Sequence, residues 1–218
     1  MAKTEPWQLP ETPSVADVAE VRRIGARASR ARNSDQTAAA IFWSAPPLVP
    51  WAVAATQAAR LAGLDARDVK MRVAIALDHA RRMALRIGER IRYPMPQALI
   101  RGEAPSCVAA MHVDPAWEPL LSTQLPSEAP CAQCVAAGAA VATLRSVLHD
   151  DHLELEAIFP QSRGVARRFR TLTEMLQECE DAQVWAGLHL RATVVESTEL
   201  GLRMGGELER PVRLRVRN

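Results

Sequence analysis

The sequence predicts an all-α helical bundle of about six to eight helices. Ala, Leu, Arg and Glu dominate a 218-residue chain that is 48% hydrophobic and only 4% aromatic. Runs of β-branched residues are scarce, and that balance favours helix over sheet. Apolar residues recur at three- and four-residue spacing through several long segments, with Pro and Gly punctuating the chain between them. The length fits one domain over residues 14–210, with an extended arm at 1–13 and a basic tail at 211–218.

The elements follow in order. Three prolines and little apolar pattern make residues 1–13 an arm. Ser14 and Asp17 form a start like a capping box, and Val15, Val18, Val21, Ile24 and Ala28 then share a helix face. Residues 35–43 read as a short helix capped by Asp35 or Ser34 and broken by Pro46, Pro47 and Pro50. A helix from Trp51 to about Ala62 stops at Gly63. The next runs from about Asp65 to Ile91, with Val69, Val73, Ala76, Ala80, Met83 and Ile87 along one face. Pro94 and Pro96 end it, and residues 97–101 add one helical turn.

Residues 102–128 read as a long, proline-punctuated loop, with a helical turn near Trp117. The helix from Cys131 to about Leu148 is apolar all round and should be the buried centre. Residues 153–159 alternate apolar and acidic side chains, a short extended segment. Residues 160–166 are loop, and two helices follow, from about Ala166 to Leu190 and from about Val194 to Leu208.

Composition bounds function by exclusion. A net charge of +2 implies no nucleic-acid partner. The N-terminus has no apolar leader and no segment approaches a membrane span, so we expect a cytoplasmic protein with no membrane partner. Four Cys in this length do not suggest a secreted disulfide framework.

The cysteines suggest two kinds of chemistry. Cys131-Ala-Gln-Cys134 is a C-x-x-C at a predicted helix N-terminus, where backbone N–H groups lower a thiol pKa. The competing reading is two small apolar residues at a buried helix start. With Cys107 and His112 upstream, Cys131 and Cys134 complete a Cys/His/Cys/Cys set that would suit a closed tetrahedral zinc site. Cys179 and Trp185 read as core, and His79 as a packed or half-exposed histidine.

Several segments, taken in order, resemble vanadium-dependent haloperoxidases and the related type 2 phosphatidic acid phosphatases. Asp35-Gln-Thr with Phe42-Trp43 is similar to the family's DQT...FW helix. Ala98-Leu-Ile-Arg101 resembles the end of RPxTAIR, and Asp114 to Leu121 resembles DPxWxPLL. Pro130 onward is similar to PSGHAxxSGAAA, and Val184 to His189 to SRxxAGxHF. The closing glycines match at Gly201 and Gly205.

The resemblance implies the family's helical fold and an oxyanion pocket. In such a pocket Lys and Arg hold vanadate or phosphate at a helix N-terminus. One His acts as acid/base, and a second bonds vanadium or attacks phosphorus. Position by position, the pocket lysine falls at Gly88, and Arg86 and Arg90 lie on other faces of the helix. The arginine of the RP pair falls at Met95. Ser, Gly and His of SGH become Cys131, Ala132 and Gln133, and the arginine before the second histidine becomes Gln183. The second histidine survives as His189. Charge-assisted hydrogen bonds contribute roughly 1.5–3 kcal/mol each, so losing three cations costs about 4 kcal/mol or more, about a thousandfold in affinity. Gln133 does not titrate near neutrality and cannot shuttle a proton.

The expectation is therefore a haloperoxidase/phosphatase-like domain without the vanadate/phosphate site, acting as a non-catalytic subunit or scaffold. Members of the family are generally longer, with a helical half before this region, so we expect a second copy or another protein chain to cover that surface. No cofactor is expected on this reading, and vanadate least of all. One alternative is an enzyme reusing the old pocket through Cys131, Cys134 and His189, by thiol chemistry or with zinc. Another is weak residual phosphatase activity through His189.

Overall fold

The computed structural model describes residues 13–104, 113–123, 127–158 and 166–209. Among these residues the chain forms α1 (Val15–Ile24), α2 (Ser34–Trp43), α3 (Leu48–Ala62), α4 (Ala66–Ile91), α5 (Pro96–Arg101), α6 (Ala132–Leu148), β1 (His152–Ile158), β2 (Ala166–Thr171), α7 (Leu172–Trp185) and α8 (Arg191–Leu208). The architecture is a helical bundle with one antiparallel hairpin, β1–β2.

Helix α6 is the axis. Most of its residues, from Cys134 to Val147, are buried, as a largely apolar sequence requires. It crosses α8 backbone to backbone. A Cβ at Gly201 would lie 2.1 Å from the Val135 carbonyl oxygen, and one at Gly138 would lie 2.4 Å from that of Thr198. Only glycine permits this approach. Helices α3, α4 and α7 pack around α6, with α2 against α7, and Phe42, Trp43, Trp51, Val73, Leu144 and Met175 fill the main core. Among the described residues no single helix is long and apolar enough to cross a membrane; only the bent pair α2–α3 passes by length and composition, and both of its helices contribute to that core.

Several boundaries differ from those read in the sequence: α1 ends at Ile24, before Ala28, and α7 ends at Trp185 and not at Leu190. Helix α3 begins at Leu48 and not at Trp51, with Pro50 inside its first turn. The first N–H groups of a helix have no intrahelical acceptor, so a proline costs nothing there. Residues 166–171 form β2 and not the start of a helix. Arg167 and Phe169 alternate inward along it, and Thr171 then caps α7 through its hydroxyl. The last helix starts at Arg191, three residues before the position predicted.

Two arginines, Arg167 buried and Arg32 half-buried, lock the elements together. Arg167, on β2, pairs with Glu178 of α7 and Asp35 of α2. The Glu178 carboxylate also accepts from the Trp43 indole N–H at 3.0 Å. Burial opposes charge on Arg167, but the two carboxylates outweigh it and raise its pKa. Among the described residues Arg32 has no carboxylate partner. Its guanidinium donates to the carbonyls of Ile24, Ala26 and Trp185, clasping the C-terminal ends of α1 and α7. Burial alone lowers its pKa.

Candidate functional site

The site is built on the N-terminus of α6. Cys131 is its N-cap. The Cys131 N–H donates to Ser197 Oγ of α8 at 2.9 Å, and its sulfur accepts from the Cys134 N–H at 3.2 Å. Cys131 and Cys134 are fully buried and joined by a disulfide. In that state neither offers a thiolate to a metal or a substrate. The N–H groups of Ala132 and Gln133, next in the first turn, have no described acceptor, and both residues line a cavity of about 620 Å³.

Opposite them is His189, in the turn between α7 and α8. Its Nδ1 lies 2.6 Å from the Glu128 carbonyl oxygen. A carbonyl only accepts, so Nδ1 carries the proton. In the neutral ring Nε2 is then the bare nitrogen, and His189 lines the cavity. Glu128 holds this turn in place. Its fully buried carboxylate accepts from the Leu190 N–H at 2.7 Å and the Thr193 hydroxyl at 2.8 Å. One carboxylate oxygen also lies 3.7 Å from His189 Nδ1.

The remaining walls come from distant parts of the chain. Trp43, Ser44 and Ala45 at the end of α2 form one, continued by Pro46 and Pro47. Leu121, Ser122 and Thr123 form another. They are brought there because their loop is stitched between two helix ends: Leu120 N–H donates to Gly25 O at 2.8 Å and Leu121 N–H to Ala186 O at 3.1 Å. Gly187 makes the stitch feasible. It adopts φ +79°, and a Cβ there would meet Gly25 O at 2.7 Å. Arg81 of α4 completes the lining.

Four of the sequence-predicted positions thus meet at one cavity: Ala132, Gln133, Gln183 and His189. Gln133 is held by α2, its Nε2 donating to Trp43 O at 3.1 Å and to Ala45 O at 3.5 Å. Gln183 is 6% exposed, and no hydrogen bond of its side-chain amide is described. Gly88 and Met95 do not line the cavity. Gly88 packs against Ser127 and Ala129, and Met95 is the N-cap of α5. Cys131 is not part of the lining either.

Cys107 and His112 lie outside the described residues, and among the described residues no group of three or more His, Cys, Asp or Glu is arranged to hold a metal. Cys179 belongs to the main core, where burial pushes its thiol pKa well up. Two residues had escaped the sequence reading. Arg81 stands seven residues before Gly88, two helical turns along the same face. Glu128 sits in a proline-rich loop, where no periodicity signals burial.

Residues 86–217 match the family model described as the VCPO second helical-bundle domain. Solved structures similar to the chain include the following three. The first bacterial vanadium-dependent iodoperoxidase to be solved is 20% identical, with a TM-score of 0.74 over 91% of this chain and 52% of that one. The holo form of a bacterial vanadium-dependent chloroperoxidase is 16% identical, with a TM-score of 0.67 over 89% and 47%. Its apo form is 15% identical, with a TM-score of 0.68 over 94% and 52%. The chain spans about half the length of these structures, and identities this low show the fold alone. No curated protein sequence matches significantly.

Proposed function

Because the chain belongs to the family of the VCPO second helical-bundle domain, within the haloperoxidase and acid-phosphatase superfamily, we propose that it is a member whose vanadate/phosphate pocket no longer holds its oxyanion, and that it serves as a non-catalytic subunit or scaffold. The observation that carries this reading is the charge of the cavity. Among the described residues its lining holds one Lys or Arg, the exposed Arg81. Gln133 and Gln183 stand where the resemblance expects a histidine and an arginine. A vanadate or phosphate bearing more than one negative charge needs several charge-assisted donors, and one guanidinium does not supply them. The residues present do not fit vanadate.

Vanadium NMR on the full chain with vanadate and peroxide tests this. Free vanadate signals unchanged at millimolar protein, with no bromide oxidation, are expected. A bound vanadate resonance at micromolar concentration, with halide turnover, would sink the reading. Association with a second copy or another chain is part of the proposal. Met71 and Ile75, one turn apart on α4, are 61% and 56% exposed, which supports an apolar contact face. Light scattering should show a species heavier than one chain that dissociates in the Met71→Glu/Ile75→Glu variant.

A further inference from the structure

The cavity keeps features that a scaffold does not need. His189 and Gln183 are 2% and 6% exposed, both line the cavity, and neither His189 Nε2 nor the Gln183 amide has a partner among the described residues. These polar atoms are not among the fully enclosed unpartnered ones, so they open onto the cavity. Ala132 and Gln133, whose N–H groups have no acceptor among the described residues, line the same cavity. A volume of about 620 Å³ is that of a small-molecule site.

The chemistry of the lining specifies the ligand. Arg81 and the first turn of α6 favour negative charge. With one lining cation among the described residues, and the Glu128 carboxylate 3.7 Å from His189 Nδ1, a second negative charge would be repelled. Pro46, Pro47 and Leu188 offer an apolar wall. In the neutral ring with its proton on Nδ1, His189 Nε2 is an acceptor and asks for a donor. Resting on the reading that the oxyanion site is lost, we propose that this cavity binds an aromatic monocarboxylate carrying a hydroxyl group. The carboxylate takes the α6 amides and the charge of Arg81, the ring lies against the apolar wall, and the hydroxyl donates to His189 Nε2.

Titration calorimetry of the full chain with 4-hydroxybenzoate tests this, with benzoate, 4-hydroxybenzyl alcohol and inorganic phosphate as comparators. Saturable binding at one site per chain is expected. Benzoate should bind about tenfold more weakly, because it leaves Nε2 unpaired. The alcohol, lacking the charge, should also be about tenfold weaker. Arg81→Gln, at an exposed position that leaves folding intact, should weaken 4-hydroxybenzoate and leave the alcohol unchanged. His189→Gln should erase the advantage of 4-hydroxybenzoate over benzoate. No saturable heat with either carboxylate, or equal binding by wild type and both variants, overturns the inference while the scaffold reading stands. Phosphate binding more tightly than the carboxylates overturns both.

Discussion

Glu128 illustrates what one buried residue controls here. Its carboxylate satisfies the Leu190 N–H and the Thr193 hydroxyl, and its own carbonyl fixes the tautomer of His189. Glu128→Ala leaves two buried donors unpaired and should lower stability by about 3 kcal/mol, read as an earlier urea midpoint with an unchanged slope. Glu128→Gln retains part of this bonding and should lose less. Cys179 makes the opposite point. Its thiol is fully buried among core side chains, its pKa raised by burial and by the neighbouring Glu180 and Glu178. We expect it to resist a thiol reagent in the native protein and to react only on unfolding, followed by mass spectrometry of the labelled peptide.

Among the elements, α8 gives the sharpest contrast. Gly201 and Gly206 lie five residues apart in one helix. A methyl group at Gly201 would strike the Val135 carbonyl, and at Gly206 it would meet nothing within 4 Å. Gly201→Ala should therefore destabilise by about 3 kcal/mol as α6 and α8 are forced apart. Gly206→Ala should stabilise by up to about 1 kcal/mol, through helix propensity alone. Paired urea melts measure both. At the start of α7, Asp151 accepts from the Thr173 N–H and from Arg145. Burial works against its charge, but these bonds outweigh it and hold its pKa below the usual carboxylate value. That contribution is complete above the unfolded-state pKa and is lost as pH falls through the lower folded one. Asp151→Asn should flatten the acid limb of the stability curve and leave its shape above neutrality unchanged.

What the sequence disclosed about these elements followed from how locally each is determined. Helix α6 was legible because an all-apolar helix has only one place to go. The α8 glycines were legible as a pattern, but their partner carbonyls on α6 were not. Strand β2 was misread because Phe169 and Arg167 alternate for only a few residues, and the reason Arg167 faces inward is Glu178 and Asp35, which no local window contains. At the cavity, Gln133, Gln183 and His189 could be placed by resemblance. Arg81 could not, because it enters from a helix position where the resemblance expects nothing.

For the whole molecule, the cavity is where α2, α4, α6 and the turn before α8 converge with the 121–123 segment. A ligand there bridges parts of the chain that separate on unfolding. At a ligand concentration a hundredfold above Kd, it should stabilise the fold by about 2.7 kcal/mol, seen as a rise in Tm with 4-hydroxybenzoate that Arg81→Gln diminishes.

The backbone contact between α6 and α8 has a further consequence for redesign. Carbonyl oxygens and Cα atoms set the spacing of those two helices, so that spacing owes nothing to the identity of the cavity side chains. Charge can be written back into the cavity without moving its walls. Gln183→Arg adds one guanidinium at a cavity-lining position, and its first measurable effect should be on anion affinity, ahead of any change in the frame.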